Sequence, residues 1–131
     1  MANGGDFEGD VTDYVFEEHR NPDGSLRKVA RTLAGIIASE DIYGIKDEHI
    51  ESKVFSQSDG RLIKRTVYEN DVRGKLLKTT TFDGFGKVTS VTSYEWDGHR
   101  RPLKSINYDG QGNVVSVQER GKPLKVVSEH K

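Results

Sequence analysis

Tyr94 and Trp96 stand two residues apart and are followed by the polar turn Asp97-Gly98-His99-Arg100-Arg101-Pro102. In an extended chain a spacing of two puts both rings on one face. Such a pair can stack on a sugar or close over a flat ligand, with an imidazole and a guanidinium beside it to supply hydrogen bonds and charge. Tyr94, Trp96, His99 and Arg100 are therefore the candidate ligand contacts. Aromatic filling of a core is the competing reading of the pair. A second constellation would need tertiary help: Glu17-Glu18-His19 could meet Asp97-Gly98-His99-Arg100 across a barrel mouth, joining carboxylate, imidazole and guanidinium for acid–base work. Two solvated hairpin ends are the alternative.

Other chemistry finds little support. His19, His49, His99 and His130 are scattered, with no pair at metal-ligand spacing in one element, so no metal and no cofactor are expected. Asp83-Gly84-Phe85-Gly86-Lys87 looks superficially like a phosphate loop, but its Lys leads into a β-branched stretch instead of a helix. It reads as a hairpin turn.

The elements that must position these residues are announced by a repeated turn phrase. Asn21-Pro22-Asp23-Gly24-Ser25-Leu26, Gln57-Ser58-Asp59-Gly60-Arg61-Leu62, Asp71-Val72-Arg73-Gly74-Lys75-Leu76, Asp83-Gly84-Phe85-Gly86-Lys87-Val88 and Asp109-Gly110-Gln111-Gly112-Asn113-Val114 share a turn-forming tetrapeptide, a polar residue and an aliphatic one. The aliphatic residues at 62, 76, 88, 103 and 114 are spaced by 14, 12, 15 and 11, one strand plus one turn each. The phrase breaks at Asp97-Gly98-His99-Arg100-Arg101-Pro102, which reads as a longer, basic turn. Strands are expected over 11–19, 26–33, 48–57, 61–69, 75–82, 87–96, 103–108, 113–119 and 124–128. Residues 33–43, with Ile36-Ile37 flanked by Gly35 and Gly44, suit a short helix or a strand equally. In 87–96, simple alternation groups Val88, Ser90, Thr92, Tyr94 and Trp96 on one face. In 75–82 it puts Leu76, Lys78, Thr80 and Phe82 together, and neither face is cleanly apolar.

Composition sets the bounds. At 131 residues the chain has room for one domain, taken as residues 11–131 after a loosely ordered segment at 1–10. Its apolar fraction of 33% is low and its charged fraction of 31% is high, which implies a thin core. With no cysteine there is no disulfide frame or thiolate chemistry. No apolar run reaches a membrane span, and the first residues lack a secretory pattern. A cytoplasmic location is expected, with an already removed signal also compatible. Residues 1–24 carry a net −6 and residues 66–131 a net +3. That asymmetry suits two attracting ends of one sheet or a basic partner. A concentrated basic stripe with interleaved aromatics is missing, which sets nucleic acid aside.

Three stretches resemble a known family. Tyr108-Asp109-Gly110-Gln111-Gly112-Asn113-Val114 is similar to the YD repeat of the RHS proteins: an aromatic-Asp pair, two variable residues, Gly, a polar residue and an aliphatic one. Phe82-Asp83-Gly84-Phe85-Gly86-Lys87-Val88 matches with Phe for Tyr, and Tyr68-Glu69 before Gly74-Lys75-Leu76 matches more loosely. The resemblance covers about residues 54–119. It implies strand-turn-strand geometry and a surface rich in aromatic and acidic side chains. No catalytic residue carries over.

The expected fold is all-β: an antiparallel meander of eight to ten strands with at most one short helix near 33–43. It is either closed as an up-and-down, lipocalin-like barrel or left as a curled open sheet. Closure is favoured because an open sheet leaves two edges to guard. For function, the first expectation is a non-enzymatic module that takes a small or amphipathic ligand in a barrel interior or on an aromatic sheet face. The others are an interaction protein with a protein partner, such as a homo-oligomer or an immunity-type accessory, and a barrel-shaped isomerase or cyclase.

Overall fold

The structure, a computed structural model, describes residues 14–127. The expected loose segment at residues 1–10 and His130 lie outside them. Ten strands follow one another: β1 (Tyr14–Arg20), β2 (Leu26–Thr32), β3 (Ile37–Tyr43), β4 (His49–Phe55), β5 (Leu62–Asn70), β6 (Leu76–Asp83), β7 (Val88–Trp96), β8 (Pro102–Asp109), β9 (Val114–Glu119) and β10 (Lys125–Val126). They form one antiparallel sheet whose spatial order is the chain order. No helix occurs among the described residues. The ambiguous segment at 33–43 resolves into a turn and β3. Gly35 supplies its left-handed residue (φ +90°), and the Thr32 amide donates to Ile36 O at 2.8 Å.

The turns set this order. Seven glycines, Asp47 and Arg100 adopt positive φ, which gives one left-handed residue to each of the nine turns. Four turns share a further device. Oδ1 of Asp71, Asp83, Asp97 and Asp109 each accepts two backbone N–H groups, two and four residues on, at 2.8–3.0 Å. The carboxylate thereby saturates the donors that a tight turn strands. Gly84 and Gly110 answer a different demand. A Cβ at either position would run into a carbonyl oxygen of the strand two places back, that of Leu62 or Val88.

Seven ladders, from β2–β3 through β8–β9, each carry one register shift just after the turn. The skipped residues are Ala38, Ile50, Ile63, Leu77, Thr89, Leu103 and Val115. Each extra residue flips the alternation of the strand that follows. The face groupings expected from simple alternation are therefore corrected. Val88 lies opposite to Ser90, Thr92, Tyr94 and Trp96, and Leu76 lies opposite to Lys78, Thr80 and Phe82.

The register sorts the sheet into two unlike faces. A hydroxyl face carries Asp41, Tyr43, His49, Thr66, Tyr68, Thr81, Thr92, Tyr94, Trp96, Asn107 and Ser116. An ionic face carries Val29, Glu40, Glu51, Lys53, Arg65, Val67, Phe82, Val91 and Ile106. On the ionic face Glu40 is shared by Arg27 and by Lys53 (3.8 Å), while Arg65 pairs with Glu51 and lies 5.0 Å over the Phe82 ring. Exposed pairs contribute only about 0–1 kcal/mol each. Sharing one carboxylate among three strands fixes register more than it adds stability.

The favoured closure into a barrel is corrected: among the described residues β1 and β10 do not pair with each other and form the two edges of a single layer. Closure would seal one face inside, and either choice buries polar or ionised groups whose desolvation nothing repays. The expected barrel interior goes with it. Leu26, Val29 and Ala38 are the only buried apolar side chains among the described residues.

Gly84→Ala and Gly110→Ala are each expected to lower the unfolding free energy by about 1–3 kcal/mol, because backbone of a neighbouring strand blocks the added methyl. Gly98→Ala, with nothing within 4 Å of its Cβ, is expected to stay within about 0.5 kcal/mol of wild type. Urea unfolding followed by far-UV circular dichroism measures all three; equal costs would contradict the turn-packing account.

Candidate functional site

The turns alternate between the two ends of the sheet, and one end is stitched together. There the β5/β6 turn (71–75) sits next to the β7/β8 turn (97–101), and this next to the β9/β10 turn (120–124). The β7/β8 turn was expected to be longer than its relatives. It is not: Asp97 N–H donates to Arg101 O (3.0 Å) and Arg100 N–H to Asp97 O (2.9 Å), the frame of Asp71–Lys75. Arg100 occupies the position glycine holds elsewhere, at φ +62°. A bulky residue is uncommon there and carries a conformational cost. Its guanidinium offsets this by reaching the neighbouring turn, where Nη1 and Nη2 donate to Asp71 at 3.0 and 3.4 Å.

Two further ties join these turns. Trp96 Nε1 donates to Leu76 O at 2.7 Å, and Lys75 Nζ lies 4.6 Å over the indole. On the other flank Arg120 Nη1 donates to Asp97 Oδ2 (2.7 Å) and to Pro102 O (3.2 Å). Between the pinned turns a solvent-open groove of about 830 Å³ is lined by Tyr94, Trp96, His99, Leu103, Ser105 and Gln118, among others. Gln118 spends its amide nitrogen on Lys122 O at 3.0 Å, which leaves its oxygen to accept.

Of the candidates named from sequence, Tyr94 and Trp96 do share a face, and both line the groove with the exposed His99. Arg100 does not line it; it braces the wall through Asp71. The expected meeting of Glu17-Glu18-His19 with His99 does not occur. β1 and β7 lie six strands apart, roughly 29 Å at about 4.8 Å per strand. His19 instead sits 3.1 Å from Glu17.

A second cluster escaped sequence reasoning. On the hydroxyl face His49 is stacked between Tyr43 (centroids 4.7 Å) and Tyr68 (4.0 Å), and its Nε2 lies 3.0 Å from Asp41 Oδ1. Asn70 Nδ2 donates to His49 O at 2.9 Å. Burial, then the Asp41 carboxylate and Tyr68, push the Tyr43 phenol above its ordinary value. Tyr43 and His49 face each other across a turn whose left-handed residue is Asp47 at φ +61°. With aspartate in place of the usual left-handed glycine, that turn hid the pairing.

No protein-family model matches the chain, and no curated protein matches it. Among solved structures, a mutant of S. aureus TarM in complex with fondaparinux, alpha-GlcNAc-glycerol and UDP is similar over 88% of this chain and 22% of its own, at 18% identity and a TM-score of 0.43. The GtfA/B complex bound to UDP and GlcNAc is similar over 86% of this chain and 23% of its own, at 11% identity and a TM-score of 0.29. The chain thus spans under a quarter of the solved chains it matches, and likeness at this level bears on no residue of the groove.

Asp71 is held at about 2, below its ordinary 3.8, first by the Arg100 guanidinium and then by the Lys75 and Arg73 amides. A depressed carboxylate contributes stability that is present above its unfolded value and is lost as pH falls through the folded one. That window is about 3.8 down to about 2. In Arg100→Gln the Asp71 carboxyl, followed by NMR, is expected to titrate closer to its ordinary value, and acid unfolding is expected to begin at higher pH. An unmoved Asp71 titration would show that the pair does not brace the groove wall.

Proposed function

We propose that this chain is a non-catalytic binding module whose ligand lies in the groove between the β7/β8 and β9/β10 turns. The observation that carries the reading is preorganisation. Both walls are clamped, by Arg100–Asp71 on one side and Arg120–Asp97 on the other, so little ordering is left for a ligand to impose. The floor is aromatic at Tyr94 and Trp96, the Ser105 hydroxyl and the Gln118 carbonyl are uncommitted beside it, and the charged Glu95, Arg101 and Lys104 complete the lining. This combination suits a small ligand with one flat or apolar side and hydroxyl or amide groups on the other.

An interaction role is the second reading. Leu33, Ile45, Val72 and Phe85 stand exposed on the turns, Phe85 at 92%, in a sheet with no second layer to receive them. A protein partner could supply that layer.

Trp96 is the sole tryptophan and reports directly on the groove. Its emission is expected to shift and saturate on titration with a member of a panel of saccharides and short neutral peptides. Tyr94→Ala is expected to weaken that binding by about tenfold, the loss of one well-formed aromatic contact. Emission that no member of the panel changes would remove the groove reading and leave the interaction reading standing.

A further inference from the structure

We propose that the outer edge of β1 is a docking site for an extended basic segment of a partner protein, which adds to the sheet as a further antiparallel strand. Among the described residues the two edges of this sheet are unlike. β10 is two residues long, follows Pro123 and contains Lys125, which are common devices for blunting an edge. β1 runs for seven residues without proline, lysine or glycine. It is also spared the bulge found in the seven internal ladders: its register with β2 is unbroken from Tyr14↔Thr32 to Arg20↔Leu26. A straight, regular edge is the template that strand addition requires.

The backbone groups that would receive a strand can be named. Asn21 N–H donates to Ser25 O at 2.8 Å, so these two form a hydrogen-bonded pair. Alternation then turns the amides and carbonyls of Val15, Glu17 and His19 toward β2, and those of Phe16, Glu18 and Arg20 outward. The side chains beside them are accessible, with Phe16 at 65% and Val15 at 49% exposure. Glu18 is exposed and has no salt-bridge partner among the described residues.

The strand already paired with β1 indicates the chemistry this edge accepts. β2 sets Lys28 opposite Glu18 and the small Ala30 opposite Phe16, and Arg31 Nε donates to Glu17 Oε2 at 2.7 Å. An incoming strand of the same kind, with Lys or Arg beside small apolar residues, would pair charge with charge across the ladder.

The test uses the full chain and two peptides: Leu-Arg-Lys-Val-Ala-Arg-Thr, which reproduces β2, and the same peptide with Glu in place of Arg and Lys. Wild type is expected to bind the basic peptide, and the acidic one about tenfold more weakly, as read by fluorescence anisotropy at low salt. Glu18→Pro deletes one outward N–H and leaves the β1–β2 ladder intact, and is expected to bind neither. Glu18→Lys keeps the backbone and is expected to reverse the preference, which preserves the test if the proline variant fails to fold. The proposal is overturned if wild type ignores the basic peptide, or if neither variant changes its binding. It is also overturned if light scattering finds a dimer that Glu18→Lys dissolves, which would give the edge to a second copy. Trp96 emission is untouched by all of these outcomes, so this proposal and the groove reading fail independently.

Discussion

A carboxylate that accepts two backbone amides is the interaction on which the rest of this molecule depends. A tight turn turns its own N–H groups inward, where no strand can reach them, and Asp71, Asp83, Asp97 and Asp109 take up those donors within five residues. With the donors met, the third residue after the aspartate can accept a left-handed conformation, and the chain returns antiparallel at a fixed register. The register shift that follows in each internal ladder then determines which side chains share a face. The positions of Tyr94 and Trp96, and of the Tyr43–His49–Tyr68 stack, are consequences of these local geometries.

The single layer makes demands of its own. A sheet with no second layer cannot rely on a packed core, and only three apolar side chains are buried among the described residues. Cross-strand chains of polar side chains take over part of that role. Thr92 donates to Asn107 at 2.7 Å and Asn107 to Ser116 at 2.8 Å, which links β7, β8 and β9. On the opposite face Arg27, Glu40 and Lys53 link β2, β3 and β4. Such groups are half-solvated in any event, so pairing them sideways costs little desolvation. At the stitched end the same economy produces a groove, because turns that bond to each other instead of to water leave a fixed gap between them.

Strand number, order and turn positions were legible because each turn is encoded within five residues. The site was half legible: a spacing of two correctly put Tyr94 and Trp96 together. What could not be read was anything that crosses strands. Arg100 in a glycine's place looked like an inserted basic loop, yet its reason lies in Asp71, 29 residues earlier. The bulges at Leu77 and Thr89 carry no sequence mark, so alternation counted through them put Val88 and Leu76 with the wrong neighbours. Closure was misjudged for a related reason. Guarding the edges argued for a barrel, but the faces that a barrel would have to seal become visible only once the register is known.

Because every strand pairs only with its neighbours in the chain, the molecule is close to one-dimensional. Its strand pairings span one hairpin each, so the loop-closure entropy of long-range pairing never has to be met in a single step. Order can begin at any turn and spread outward in both directions, with each added strand stabilised by the one before it. Loss of structure would proceed in reverse, fraying from the margins toward the middle rather than in one global event. Length in such an array is adjustable: a hairpin gained or lost between existing turns changes the span of the sheet and leaves its other joints as they were.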